Sequence, residues 1–285
     1  MELKLHLSGS VEPLSNYLDN FLRIKKSILL EIDTYQRAII AKNFSDEHSV
    51  IRFASISFED ANLSIVSDSG EQERGEERVK IGILLRLKNF IQIIDRFGSL
   101  GSDGKSEFDI VITYDTLQAK NGSIEYVTTD IAFVSDILRM RMNGFRIQEF
   151  DYLSDDGFRG MFNVLDPVSI VVPSETIQFI AKISEINKFD SRRDMLVFYV
   201  EGDTLYVRDK KTAGESSFVY RIGELDNKPD YDIVLPVTRE MFIMMTEKTD
   251  ETFRLILGHE DDGSIVRLLL ESTTTSTKIV IAGII

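Results

Sequence analysis

Cysteine and tryptophan are absent from this 285-residue chain, and proline (5) and histidine (3) are scarce. Without cysteine there is no disulfide framework, no thiolate metal site and no cysteine nucleophile. That suits a reducing compartment. His6, His48 and His259 lie far apart with no neighbours at metal-ligand spacing. His259 stands in "GHEDDG" between apolar strand patterns, so a hairpin tip is expected there rather than a cation site. No apolar run approaches the roughly 18 residues that signal a membrane helix, and "MELKLHLSGS" lacks the apolar core of a signal peptide. The expectation is a soluble, cytoplasmic protein in which Asn-x-Ser matches such as Asn62-Leu63-Ser64 carry no glycan. P-loop, GxGxxG, GxSxG and HExxH patterns are also missing. "GSLGSDG" (98–104) follows a helix instead of a strand, which makes it a helix exit, and "STTTSTK" (272–278) is a turn between strands. No nucleophile–base pair stands out. The chain is expected to be no enzyme and to hold no cofactor and no metal.

What is present is apolar material for a core, 43% of residues, and an acidic balance of 47 carboxylates against 33 Lys and Arg. A net charge of -14 describes the average field; binding depends on where charges cluster, so it does not exclude nucleic acid. The apolar periodicity is orderly. "EPLSNYLDNFL" (12–22) carries Leu14, Leu18, Phe21 and Leu22 at helical spacing, and two extended runs with strand alternation follow. "LRLKNFIQIIDRFGSLG" repeats the pattern with Leu87, Phe90, Ile91 and Ile94, ending near Gly98 and Gly101. Two strand runs then flank an Asn121-Gly122 turn.

The third case is "PSETIQFIAKISEINKF" (173–189), capped at Ser174 and running to Asn187. Ile180, Ile183 and Ile186 mark one face, and Gln178, Lys182 and Glu185 another. The hairpin "MLVFYVEGDTLYVRD" follows, turning at Glu201-Gly202-Asp203. The fourth is "VTREMFIMMTEK", capped at Thr238, with Met241, Phe242 and Met245 as its stripe and a hairpin at Asp261-Asp262-Gly263 beyond it. A short helix followed by strands therefore begins near residues 12, 86, 174 and 238. The aperiodic stretch 146–167, ending at Pro167, is the linker between halves. "SDSGEQERGEER" (67–78) is a solvated loop. This predicts an α+β chain of two similar domains.

That order of elements resembles a DNA polymerase sliding clamp, in its two-domain form. The resemblance rests mainly on "PSETIQFIAKISEI", "MLVFYVEGDTLYVRD", "YDIVLP", "VTREMFIMMTEK", "FRLILG", "SIVRLLLES" and "TKIVIAGII". "VEPLSNYLDNFLRIKKSILLEI" and "KIGILLRLKNFIQIIDRFG" follow the same plan in the first half. It implies a clamp fold with two short helices packed on antiparallel sheets in each domain: N-terminal domain 1–148, connector 149–168 and C-terminal domain 169–285. Three copies would form a pseudo-sixfold homotrimeric ring, since the chain is too short for the three-domain bacterial type. The implied partners are double-stranded DNA held by topology, a replicative DNA polymerase with other factors, and a clamp loader.

The basic residues on the polar sides or ends of the helices that would face DNA are Lys25, Lys26, Lys88, Arg96, Lys182, Lys188, Arg192, Arg193, Arg239 and Lys248. Glu12, Asp19, Gln92 and Asp95 depart from the basic pattern, so the inner face is expected to be only mildly positive. Apolar residues near the connector and the C-terminal strands, Phe158, Met161, Phe162, Val266, Ile281 and Ile284, would line a pocket for partner peptides. The ending "AGII", without an acidic tail, together with a pattern like that of T4-type phage clamps, points to a viral source and so to a host cytoplasm. Two other readings stay open: a β-rich viral structural or assembly protein, and a clamp-fold accessory factor that does not encircle DNA.

Overall fold

A computed structural model describes residues 1–22, 24, 26–45, 50–66, 80–101, 105–118, 124–143, 162–185, 195–210, 218–246, 250–259 and 266–282. The chain divides into two units. Unit 1 comprises Met1–Asn43 and Phe53–Asp155, and unit 2 comprises Phe44–Arg52 and Asp156–Ile285.

Unit 1 holds β1 (Glu2–Gly9), α1 (Glu12–Asp19), β2 (Ser27–Asp33), β3 (Ala38–Phe44) and β4 (Val50–Ser57). It continues with β5 (Leu63–Val66), β6 (Lys80–Arg86), α2 (Leu87–Gly98), β7 (Ser106–Gln118), β8 (Ile124–Val134) and β9 (Arg139–Asn143). Residues 44–52, which include the end of β3 and the start of β4, group with unit 2. Two strand series run through unit 1. One is β1-β7-β8-β9, all antiparallel. The other is β4-β3-β2-β6. A short parallel pairing of Ile81 with Tyr126 and Gly82 with Val127 joins them, and β5 adds to the outer side of β1.

Unit 2 contains β10 (Leu165–Val172), α3 (Ser174–Glu185), β11 (Met195–Glu201), β12 (Thr204–Lys210) and β13 (Val219–Glu224). Then come β14 (Val234–Thr238), α4 (Arg239–Thr246), β15 (Phe253–His259), β16 (Val266–Ser272) and β17 (Lys278–Ala282). Its series are β10-β15-β16-β17 and β13-β12-β11-β14. Strand for strand these repeat unit 1. The helices fall in the same slots, after the first strand and after the strand that closes the second series.

The elements follow from local chemistry. In β1, Leu5 and Leu7 are buried while Lys4 and His6 stand on the opposite side, as the two-residue period of a strand requires. The hairpin between β11 and β12 turns at Gly202, whose φ of 68° suits glycine because no Cβ meets the carbonyl. Thr238 caps α4, its hydroxyl accepting from the Met241 amide at 3.2 Å. Helix α1 ends at Asp19, short of the expected Leu22. Phe21, Leu22 and Ile24 instead donate their amides three residues back, to Leu18, Asp19 and Phe21, a tightened turn that still buries Phe21 and Ile24. In α3 the buried stripe is Ile177, Ile180, Ala181 and Ser184, and Ile183 is only half-buried. Ser184 escaped the sequence reading because it is polar; its hydroxyl is satisfied locally by the Ala181 carbonyl at 2.6 Å.

The helices of each unit pack against each other and against the sheet. Phe90 and Phe97 of α2 meet Phe133 with ring centroids 5.5 and 5.9 Å apart, and Phe97 meets Phe108 at 5.0 Å. Tyr17 anchors α1, its hydroxyl lying 2.8 Å from the Ala54 carbonyl and 3.1 Å from that of Ile39. In unit 2, Phe242 of α4 packs on Phe198 of β11 at 5.5 Å.

On the face of unit 1 opposite the helices, Asp109 receives Lys4 and His6, each at 2.8 Å. Burial pushes the Asp109 carboxyl up, but the hydrogen bonds and charges of Lys4 and His6 outweigh it and hold it below the usual carboxylate range. A lowered folded-state value stabilises above the unfolded value, about 3.9, and is lost as pH falls through the folded value. The denaturation midpoint should therefore drop more steeply below about pH 4 in the wild type than in Asp109→Asn. Urea titrations at a series of acid pH values measure this.

Candidate nucleic-acid interface

The four helices each bury one face and leave another to solvent, and the exposed faces differ in charge. On α1 the outward positions are Glu12, Asn16 and Asp19, with Asn20 just beyond. They recur at i, i+4 and i+7, one stripe of a 3.6-residue helix. On α2 the exposed residues are Lys88, Asn89, Gln92, Asp95 and Arg96. Ser15 of α1 donates its hydroxyl to Asp95 at 2.8 Å, which engages that carboxylate with the neighbouring helix. On α3, Glu175, Phe179 and Lys182 are exposed, and Gln178 reaches Asp250 at 3.4 Å. On α4 the exposed charge is Glu240.

The cations of the sheets are mostly paired. Lys4 with Asp109, Lys80 with Asp33, Arg141 with Asp130, Arg254 with Asp226 and Lys278 with Glu271 lie 2.7 to 4.0 Å apart. Lys88, Arg96 and Lys182 have no ion-pair partner among the described residues, although carboxylates outnumber cations in this chain. Exposed, unpaired cations on a helix face can attract phosphate without first breaking a protein contact.

Of the ten basic residues expected at DNA, Lys26, Lys88, Arg96 and Lys182 are exposed. Lys26 follows α1, and its carbonyl accepts the Leu87 amide at 3.1 Å, fixing the chain between α1 and β2 against the start of α2. Arg239 is a correction: only 3% of it is exposed, so it cannot present its charge to a phosphate in solvent. It opens α4 directly after β14, where Leu235 and Val237 are already in the core, and its stem is drawn in with them. Lys25, Lys188, Arg192, Arg193 and Lys248 lie outside the described residues.

The expected peptide pocket is corrected at Ile281, which is fully buried at 0% and serves as core of β17. Phe162 is half-buried. Val266 opens β16 and pairs with His259. Phe158, Met161 and Ile284 lie outside the described residues.

Two further surfaces escaped the sequence reading. β9 and β13 each end their strand series, with no strand on their outer side among the described residues. β9 alternates exposed Arg139, Arg141 and Asn143 with half-buried Met140 and Met142. In β13, Tyr220 packs on the exposed Phe179 of α3 at 5.0 Å. An edge gives no sequence signal of its own, because alternation looks the same in edge and central strands.

No protein-family model matches the sequence, and no curated protein matches it. Solved structures do. The chain is similar to a protomer in the PCNA2–PCNA3 complex of Sulfolobus tokodaii at 14% identity, covering 99% of both chains with a TM-score of 0.57. It is similar to PCNA of Thermococcus kodakaraensis at 8% identity, covering 99% of this chain and 100% of that one, TM-score 0.56. Against the Helicobacter pylori beta clamp bound to a DNA ligase peptide, identity is 16% and the TM-score 0.59, with 98% of this chain matched to 66% of that one. These likenesses span both strand series and both helix slots of each unit, and the fold of this chain is that of the DNA sliding clamps.

Proposed function

We propose that the chain is a sliding clamp: a non-catalytic, cytoplasmic ring that encircles duplex DNA regardless of sequence and tethers a replicative DNA polymerase and other factors. Residues 1–148 and 169–285 are the two clamp domains and 149–168 the connector that carries the partner-peptide surface. The observation that supports this reading best is the duplication of one plan, two four-strand series with a helix pair, along the whole chain. The same fold occurs in solved structures that hold the C-terminal region of FEN-1 on A. fulgidus PCNA and a DNA ligase peptide on the H. pylori beta clamp.

The open edges also suggest how copies join. β9 and β13 each end a strand series with no strand on the outer side among the described residues. Pairing β9 of one copy with β13 of the next would complete both ladders between molecules. Such a heterologous contact closes into a ring when the rotation permits, and three copies of a two-domain chain give six domains. The ring would need a loader to open it around DNA.

The acidic α1 face is the one feature that favours a clamp-fold accessory that does not encircle DNA. Light scattering, with retention on a nicked circular plasmid before and after linearisation, separates the two. A trimer held on circles and released by linearisation supports the clamp. A monomer at high concentration, with no effect on the product length of its polymerase on primed circular DNA, would sink it.

A further inference from the structure

We propose that the phosphate contacts made by the two helices of unit 1 lie on α2, along Lys88, Gln92 and Arg96, and that the acidic face of α1 holds the duplex away from its own side. This rests on the clamp reading and refines it, replacing a uniformly attractive lining with an alternation of attraction and repulsion between packed helices. Lys88, Gln92 and Arg96 follow one another at i, i+4 and i+8, all exposed, and so form one stripe. The two cations are about 12 Å apart along the axis at 1.5 Å per residue, far enough to reach different phosphates. Neither is neutralised by a carboxylate among the described residues. The carboxylate nearest them in sequence, Asp95, accepts the Ser15 hydroxyl at 2.8 Å at the seam with α1. Gln92 and Asn89 add neutral amide donors, which hydrogen-bond phosphate oxygens without raising the charge.

On α1 the chemistry is reversed. Glu12 and Asp19 stand on its solvent side with Asn16 and Asn20, and no cation lies between residues 12 and 20. A phosphate approaching α1 meets two like charges and the amide side chains of Asn16 and Asn20. In a water-filled channel these fields extend about 8–10 Å at physiological salt, enough to bias where a mobile duplex rests. Two phosphate contacts are few. Contacts so sparse leave retention to ring closure and keep sliding friction low.

The test is fluorescence anisotropy of the full chain with a 40-base-pair linear duplex of arbitrary sequence, at salt from 50 to 200 mM. At most four neutralised phosphates, at the exposed Lys26, Lys88, Arg96 and Lys182, give a log–log salt slope of about -3.6, a weakening of about 150-fold across that range, against a thousandfold or more for six contacts. Lys88→Glu with Arg96→Glu should weaken binding at least about tenfold at 50 mM salt and flatten the slope. Glu12→Gln with Asp19→Asn should tighten it about threefold. The proposal is overturned by no binding at 100 μM protein, by a slope steeper than about -4, by a charge reversal on α2 that changes affinity less than twofold, or by no response to neutralising α1. If these results hold but the protein shows no preference for circles over linear DNA, the clamp reading fails and the helix assignment survives as a plain phosphate-binding surface.

Discussion

Glu31→Ala is expected to lower the stability of the chain by about 3–5 kcal/mol, the usual cost of removing one member of a buried ion pair. Glu31 in β2 and Lys42 in β3 form that pair as diagonal neighbours, since Leu29 faces Lys42 and Glu31 faces Ile40 in the register. Only 3% of the Lys42 side chain and 13% of that of Glu31 are exposed. Without Glu31, Lys42 keeps a buried charge that has lost its carboxylate neighbour. The pair itself need not be favourable. Replacing both members by apolar residues of similar volume, Glu31→Leu with Lys42→Met, should restore most of the loss or exceed it, because two desolvation costs vanish together. Urea denaturation of the single and double variants provides the comparison. A Glu31→Ala variant within about 1 kcal/mol of wild type would show that water reaches Lys42. Added salt should change the single-variant loss little, because a buried pair is poorly screened.

That pair also shows where the sequence stopped being informative. The stretch around "AIIAKNF" was legible as extended, but every residue of β3 except Phe44 is buried, so the two-residue alternation that assigns faces is missing. A lysine there looks like a surface residue until both faces are known to be covered. Arg239 misled in the same way: at the first position of a helix a cation looks solvent-facing, and only the preceding strand explains its burial. Ile281 fits a strand lining a pocket as well as one in a core, and periodicity cannot choose between them.

The features that could be read ahead were those set locally. Helix starts near 12, 86, 174 and 238 agree with α1 to α4 because apolar periodicity, joined at α4 by the Thr238 cap, acts within one or two turns. Lys88 and Arg96 were legible because the buried positions of α2, Leu87, Phe90, Ile91, Ile94 and Phe97, define its other face without ambiguity. Their lack of carboxylate partners was not legible, since pairing joins strands and helices distant in sequence. The open edges of β9 and β13 depend on the order of strands in the sheet, which no local pattern encodes.

Those edges carry the largest functional effect expected. Met140→Asp with Met142→Asp should abolish the proposed trimer at micromolar concentration and remove any retention on circular DNA. The two methionines face the same side of the sheet as the buried Phe133 and Ile131 opposite them, yet are only half-buried in a single copy, with no strand beyond the edge among the described residues. A neighbouring β13 would cover them and complete the ladder, and two carboxylates there would be desolvated by assembly without a partner. Leaving even one charge so placed costs several kcal/mol, and 3 kcal/mol already weakens association more than a hundredfold. The folded single chain should lose less, since half-exposed side chains can turn their carboxylates to water. A melting temperature lowered by only a few degrees, together with a monomer mass by light scattering, is therefore the expected signature. Arg139→Ala, on the opposite and fully exposed face of the same strand, serves as the control and should leave assembly intact. If the aspartate variant remains trimeric, β9 is not the joining edge. If it unfolds, the methionines belong to the core of unit 1, and the open edge must be tested instead at Tyr220 of β13, where Tyr220→Ala should weaken the trimer without disturbing β9.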